Sequence, residues 1–531
     1  MVVPELRPWR AARPHVVRIT NAVRPRLARA AAPVRPRVAR LTRAVKPQLA
    51  RVPRTATART WQYTALAAGA GLALAAGVVT AAGPWGATGQ RTAERDRAAA
   101  LQEPGGADHG RASGTSSRAP RPAPSAATVL ADLGRTTTTV KTAPGEKPLT
   151  DVLGPLLDAP ELGGSHTAAV VDVTTGERLY GTGGDTALTP ASTTKIATAV
   201  AALSALGADH RLTTRTALEP DTRELVLVGG GDPTLTAHPK DEGWASLRTL
   251  ATDTAKALKA RGIRQVTLSY DTTLYTGPGL HSIGVNDNLA PVSALTADEG
   301  RTDDSSSGPV TRVPDPAADA ARKFAGFLQD AGIKSTSPGP SKATGRALTL
   351  ASVSSPPLSA LVERMLTNSD NDIAEALLRQ TAAATGRPAS FDGGAQAVAD
   401  QLKRLGLPVS GAVFHDGSGL DREDRLTADL LTALLVKAGS PSRPDLRPVL
   451  TGLPVAGFTG TLSTRYADGA AGMVRAKTGT LTGVNALAGT VVDQEGRLLA
   501  FAFLASGTTS PEEAQSALDR AATTLAGCGC G

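Results

Sequence analysis

A hydroxyl and an amine stand three residues apart in Pro190-Ala191-Ser192-Thr193-Thr194-Lys195-Ile196-Ala197, at the head of an alanine-rich run that reaches Leu206 without Gly or Pro. That run predicts a helix, and on a helix positions i and i+3 share a face. The spacing therefore presents Lys195 to Ser192 with no help from distant chain. A serine hydroxyl becomes a nucleophile only when a neighbouring base takes its proton. Lysine can be that base if its pKa falls from about 10.4 towards neutrality, and burial with a second nearby cation is the usual means. Taken alone, the same pattern equally describes a capping serine and a solvated lysine. The decision lies further along the chain.

Two later stretches bear on it. Thr367-Asn368-Ser369-Asp370-Asn371-Asp372 precedes a helical pattern over Ile373–Ala384, and Val474–Ala476 run strand-like into Lys477-Thr478-Gly479-Thr480. Singly, the first is a helix cap and the second an edge-strand lysine beside a glycine bend. Together they complete an order: Ser-x-x-Lys at 192–195, Ser-x-Asn at 369–371 and Lys-Thr-Gly at 477–479, each found once. The expected elements are a helix start, a loop between helices and a strand. Other schemes lack their residues. There is no Gly-x-Ser-x-Gly elbow and no His-Glu-x-x-His, and His415 beside Asp416 belongs to a Gly417-Ser418-Gly419 loop. The Gly229-Gly230-Gly231 triplet lacks the Lys-Ser/Thr of a phosphate loop.

The three motifs, in this order, resemble those of serine penicillin-recognising enzymes. The chain is similar to the D-alanyl-D-alanine carboxypeptidase/endopeptidase group of low-molecular-weight penicillin-binding proteins, peptidase family S13. The likeness covers roughly 145–526. It includes Leu227-Val228-Gly229-Gly230-Gly231-Asp232-Pro233, Ala290-Pro291-Val292-Ser293-Ala294-Leu295, Asp416-Gly417-Ser418-Gly419-Leu420 and Leu453-Pro454-Val455-Ala456-Gly457.

The resemblance implies an α+β fold with a transpeptidase/β-lactamase-like core, an antiparallel sheet with helices on both faces. The core would come from 144–207 and 350–531. Residues 208–349 would be a large inserted region, accounting for the 177 positions between Ser192 and Ser369. The resemblance also implies roles. Ser192 attacks the D-Ala-D-Ala carbonyl and Lys195 takes its proton. Ser369 relays a proton to the leaving nitrogen, and Asn371 holds Lys195 and the substrate amide. Lys477 supplies positive potential that keeps Lys195 neutral, and Thr478, Gly479 and Thr480 bind the substrate carboxylate and oxyanion. It implies no cofactor and no metal. The partners it implies are peptidoglycan stem peptides, with β-lactams as covalent inhibitors. A class A β-lactamase uses a glutamate after the second motif, and none occurs between Glu375 and Glu423. A non-catalytic envelope scaffold would have no need of the intact Ser192, Lys195, Ser369, Asn371 and Lys477.

Charge divides the chain. Residues 1–60 hold fifteen Arg and Lys against Glu5, while the remainder is net −5, so the overall +9 is no sign of a nucleic-acid-binding body. The Pro-rich arm reads as disordered. Residues 64–83 are uncharged for about the thickness of a bilayer, between Trp61, Tyr63 and Trp85. The one-sided arginines predict a single-pass anchor with residues 1–60 cytoplasmic and the catalytic region outside. Residues 84–143, rich in Ala, Gly, Ser and Pro, read as a flexible linker. Cys528 and Cys530 are the only cysteines, so the body has no disulfide framework.

Overall fold

Five strands, all paired antiparallel in the spatial order Arg178–Thr182, Ser165–Asp172, Leu498–Ser506, Val484–Val492 and Val474–Leu481, form the sheet on which the three motifs meet. The computed structural model describes residues 148–528, apart from 241–242 and 467–468. The arm, span and linker expected over 1–60, 64–83 and 84–143 lie outside the described residues, as does Cys530. Cys528 is disulfide-bonded.

The first part of the core is α1 (Leu149–Leu157), β1 (Ser165–Asp172), β2 (Arg178–Thr182) and α2 (Thr194–Leu206). Residues 166–180 read as a hairpin with Thr174-Thr175-Gly176 at the turn, and it forms, with the Thr174 and Thr175 N–H groups donating to Asp172 Oδ1. The inserted region supplies β3 (Thr213–Leu218), β4 (Glu224–Val228), α3 (Leu247–Ala260), β5 (Gln265–Asp271), α4 (Pro316–Asp330), β6 (Lys334–Ser335), β7 (Gly339–Pro340) and β8 (Leu348–Ser354). The chain then returns through α5 (Leu358–Asn368), α6 (Asn371–Ala384), α7 (Phe391–Arg404), α8 (Ala428–Gly439) and α9 (Pro448–Thr451). It closes with β9 (Val474–Leu481), β10 (Val484–Val492), β11 (Leu498–Ser506) and α10 (Pro511–Ala526).

Residues 485–493 and 497–506 read as an alternating hairpin across Gln494-Glu495-Gly496; the hairpin forms, but its periodicity differs. An antiparallel sheet with one wet face alternates apolar and polar residues. Here β10 and β11 are buried on both faces, and the alternation is between small and large side chains. Ala486, Ala488, Ala500, Ala502 and Leu504 face one core, packed with α2 and α5–α8. Leu487, Val491, Phe501 and Phe503 face the other, covered by α1 and α10. The alanines make room for α2, which is buried along its whole length from Thr194 to Leu203. A helix buried all round is apolar all round, so the one lysine in it, Lys195, is enclosed by the fold.

The insertion carries its own sheet, ordered β6-β5-β4-β3-β8 with β7 also on β5, and its own core with α3 and α4. β8 pairs with β3 over Leu348–Ser354, so this sheet crosses the boundary expected at 349. The sequence over 243–260 reads as helical; the helix starts at Leu247, because Ser246 Oγ accepts the Thr249 N–H and caps it there.

Candidate active site

Ser192 lies in a short 3-10 turn, Ala191–Thr193, that feeds α2. Two neighbours shape this turn. Ala191 has φ +47°, left-handed backbone that costs a residue with a Cβ about 1 kcal/mol or more. Thr193 Oγ1 donates to Pro190 O at 2.7 Å and holds the bend. Two glycines let other elements press against it. A Cβ on Gly419 would stand 1.9 Å from Ala191 O, and one on Gly479 would stand 2.6 Å from Pro190 O.

Lys195 Nζ reaches three oxygens: Ser192 Oγ at 2.9 Å, Asn371 Oδ1 at 2.7 Å and Ser418 O at 2.7 Å. The Asn371 orientation is set by its Nδ2, which donates to Asn288 O at 2.9 Å. Asn371 Oδ1 and Ser418 O can only accept. A neutral amine has two hydrogens, and both are used by these acceptors. Its lone pair is then the group that faces Ser192 Oγ, which is the arrangement a base requires.

The electrostatics differ from the expectation in one respect. Lys195 is fully buried, and burial is the first cause that brings its pKa down to about 8. The carboxylates Asp416, Glu375, Asp370 and Asp424 act the other way and keep it from falling further. Lys477, also fully buried, is pushed well down by burial and then by the charges of Lys195 and Arg465. Enclosure, rather than Lys477, is thus the main cause of the lowered Lys195 pKa. Lys477 Nζ donates to Thr478 O at 2.8 Å, and Thr478 Oγ1 donates to Thr461 Oγ1 at 3.0 Å.

The second motif serves as a cap and presents its side chains as well. Asp370 accepts the Ile373 N–H and caps α6. Ser369, at φ +58°, ends α5 in left-handed backbone. Asn371 opens α6 and turns to Lys195. A cleft of about 290 Å³ is lined by Ser192, Ser369, Asn371, Leu420 and Thr480, with Asn288 from the insertion. Gly479 is buried in β9 and Thr480 is exposed. A second cavity of about 440 Å³ beside Trp244 is lined mainly by the insertion and shares Arg301 with this cleft.

Sequence reasoning missed the ionic surroundings. Arg312 pairs with Asp372 at 2.9 Å and Arg364 with Glu299 at 2.7 Å, tying the insertion to α5 and α6. His281, also from the insertion, is buried against Asp416, with Glu375 nearby. One signal was available. Glu375 sits in the apolar run Ile373-Ala374-Glu375-Ala376-Leu377-Leu378, and a carboxylate there needs partners. It finds them in the Gly417 and Ser418 N–H groups.

Comparison with known proteins agrees with this arrangement. The profile of the D-Ala-D-Ala carboxypeptidase 3 (S13) family matches residues 149–309 and 302–525. Carboxypeptidase DacB of Mycolicibacterium smegmatis is 39% identical over 406 residues, covering 73% of this chain and 86% of that protein. Carboxypeptidase Rv3627c of Mycobacterium tuberculosis is 36% identical over 430 residues, covering 78% and 91%. Penicillin binding protein 4 (dacB) from Haemophilus influenzae shares the fold at TM-score 0.58 and 22% identity, covering 71% of this chain and 98% of that one. With the family profile matched over nearly all of the described residues, the chain belongs to the D-Ala-D-Ala carboxypeptidase 3 (S13) family.

Proposed function

We propose that the chain is a serine-type D-alanyl-D-alanine peptidase acting on peptidoglycan stem peptides through an acyl-enzyme on Ser192. The observation that carries this reading is the contact of Lys195 Nζ with Ser192 Oγ at 2.9 Å, its other partners being pure acceptors. Lys195 takes the Ser192 proton as Oγ bonds to the carbonyl carbon of the D-Ala-D-Ala bond. The developing oxyanion is met by the N–H groups of Ser192 and Thr480. Each such donor contributes about 3–4 kcal/mol. Ser369 passes the proton to the leaving D-alanine nitrogen as the C–N bond breaks. Thr478 and Thr480, beside the Lys477 amine, receive the terminal carboxylate. Water then cleaves the ester, with Lys195 again taking a proton.

A β-lactam offers the same carboxylate and a strained amide, so it acylates Ser192. Its ester persists, because Glu375 is not placed to activate water. That glutamate is fully buried and accepts hydrogen bonds from Gly417 and Ser418.

Incubation with a muropeptide carrying a pentapeptide stem, followed by mass spectrometry, is expected to release one alanine per stem. Ser192→Ala is expected to release none. Scission of a cross-link without alanine loss would make the enzyme an endopeptidase, and retained release in the variant would remove Ser192 from the mechanism.

We further propose the division made from the sequence: a basic arm over 1–60, an anchor over 64–83, a linker over 84–143, core parts at 144–207 and 350–531, and the insertion between them. Among the described residues no helix is long and apolar enough to cross a membrane. The support for an anchor is therefore the uncharged stretch and its flanking arginines. Full-length chain should stay in the membrane fraction after alkaline carbonate extraction, and a deletion of 64–83 should be released. Equal release of both would sink the anchor.

A further inference from the structure

Beneath the cleft lies a buried group of ionisable side chains that the mechanism above does not use. His281, brought in by the insertion, bonds through Nε2 to Asp416 Oδ2 at 3.0 Å, with both side chains nearly sealed from water. Asp416 also accepts from Gly419 N at 2.6 Å, Asp421 N at 2.8 Å and Ser418 Oγ at 3.2 Å. It thereby sets the Ser418–Gly419 loop. Ser418 O is one of the acceptors of Lys195 Nζ. A continuous hydrogen-bonded path therefore leads from His281 through Asp416 and Ser418 to the base.

We propose that His281 is a positioning residue for the Ser192–Lys195 pair: as an imidazolium it neutralises Asp416 under the Ser418 carbonyl, and so keeps Lys195 able to act as a base near neutral pH. The inference rests on the reading of Ser192 as nucleophile and Lys195 as base.

The charges around the path support the sign. Lys195 faces Asp416, Glu375, Asp370 and Asp424, all of which favour its charged form, and Lys477 lies across from it on β9. Asp424 is pushed up to about 10 by burial and then by Asp416, so of the four it weighs least as an anion. Glu375 is pushed up to about 7 by burial and then by Asp416, and its oxygens accept backbone N–H groups. Asp416 remains the firm anion. Burial opposes its charge, but His281 and the Gly419 and Asp421 N–H groups hold its pKa at about 2. Burial alone would lower the His281 pKa. The hydrogen bond to Asp416, with the charges of Glu375, Asp416 and Asp421, outweighs burial and raises it. The Phe391 ring meets His281 edge-on at 5.2 Å, and Arg379 lies on that same ring at 4.5 Å. Ser282 Oγ donates to Asp421 at 2.7 Å and fixes the segment from the other side.

The sign follows. Acylation needs neutral Lys195, so its rate climbs with pH through the Lys195 pKa. Removing the His281 cation leaves Asp416 uncompensated, stabilises the Lys195 ammonium and moves the climb to higher pH. The displacement expected is about one pH unit, the order by which a nearby charge moves a pKa.

The test is the pH profile of the second-order rate of labelling by a fluorescent penicillin, on the full chain. His281→Gln keeps an N–H for Asp416 without the charge. Its climb should lie about one pH unit above wild type, with labelling about tenfold slower at pH 6.5 and equal at pH 10. His281→Lys restores a cation and should bring the climb back. A lower plateau with the climb unmoved, or no change at all, overturns the proposal. Where neither variant melts cooperatively, the wild-type chain decides by NMR of labelled histidine. His281 is the one buried histidine among the described residues, recognisable by its solvent protection. A cationic ring at pH 7 supports the proposal and a neutral one overturns it. Absence of wild-type labelling would instead strike the underlying assignment of Ser192, so the two failures are distinct.

Discussion

Lys195→Met should lower the rate of Ser192 acylation about 10⁴-fold, the upper range for loss of a general base. Methionine is unbranched and about as long as lysine, so the buried channel beside α2 stays filled. What disappears is the amine that meets Ser192 Oγ at 2.9 Å. Stability should respond less than activity. Asn371 Oδ1 and Ser418 O lose a donor, which costs about 1–3 kcal/mol for each buried acceptor left unpaired. Against that, a fully buried amine no longer has to be desolvated. Fluorescent-penicillin labelling rates and thermal melts on the same preparation separate the two. A variant that labels within tenfold of wild type would show that another group takes the Ser192 proton.

Gly419→Ala should be nearly as severe, by a different route. The position has φ +79°, and an added Cβ would stand 1.9 Å from Ala191 O and 2.8 Å from Thr194 Oγ1. Neither backbone can yield without moving the turn that presents Ser192, or the Ser418 carbonyl that holds Lys195. Left-handed strain and overpacking together come to about 4 kcal/mol, and labelling should fall below detection. Gly496→Ala is the control. It has the same φ of +79° with nothing within 4 Å of the new Cβ, so it should cost about 1 kcal/mol and label normally. Equal behaviour of the two variants would mean that backbone conformation, not the close approach at Ala191, governs the position.

The strands and helices were legible wherever local patterning and turn chemistry agreed. Gly176 and Gly496 mark the two hairpin turns that form, and the Ser510 cap with Pro511 marks the start of α10. The terminal strands were recognised, yet their two-sided burial was not. Ala500 and Phe501 are both apolar, and only the packing of α2 and α10 tells one face from the other. The three motifs were legible as residues because their spacing and order are properties of the chain. Asp416 was visible within a family-like stretch but without a role, and His281 and Arg312 gave no signal at all. A lone histidine 135 positions from its carboxylate partner has no local pattern to betray it.

The sequence by itself determined that Ser192 and Lys195 share one helical face, that the stretch Thr367–Asp372 caps a following helix, and that Lys477 lies on a strand. These follow from backbone geometry acting over a few residues. Only the tertiary structure decided that Lys195 is dry, that two distant acceptors hold its amine against Ser192, and that the insertion places a histidine under the loop holding it. Desolvation and Coulomb interaction act through space, and their size depends on what the fold packs around a charge rather than on its neighbours along the chain.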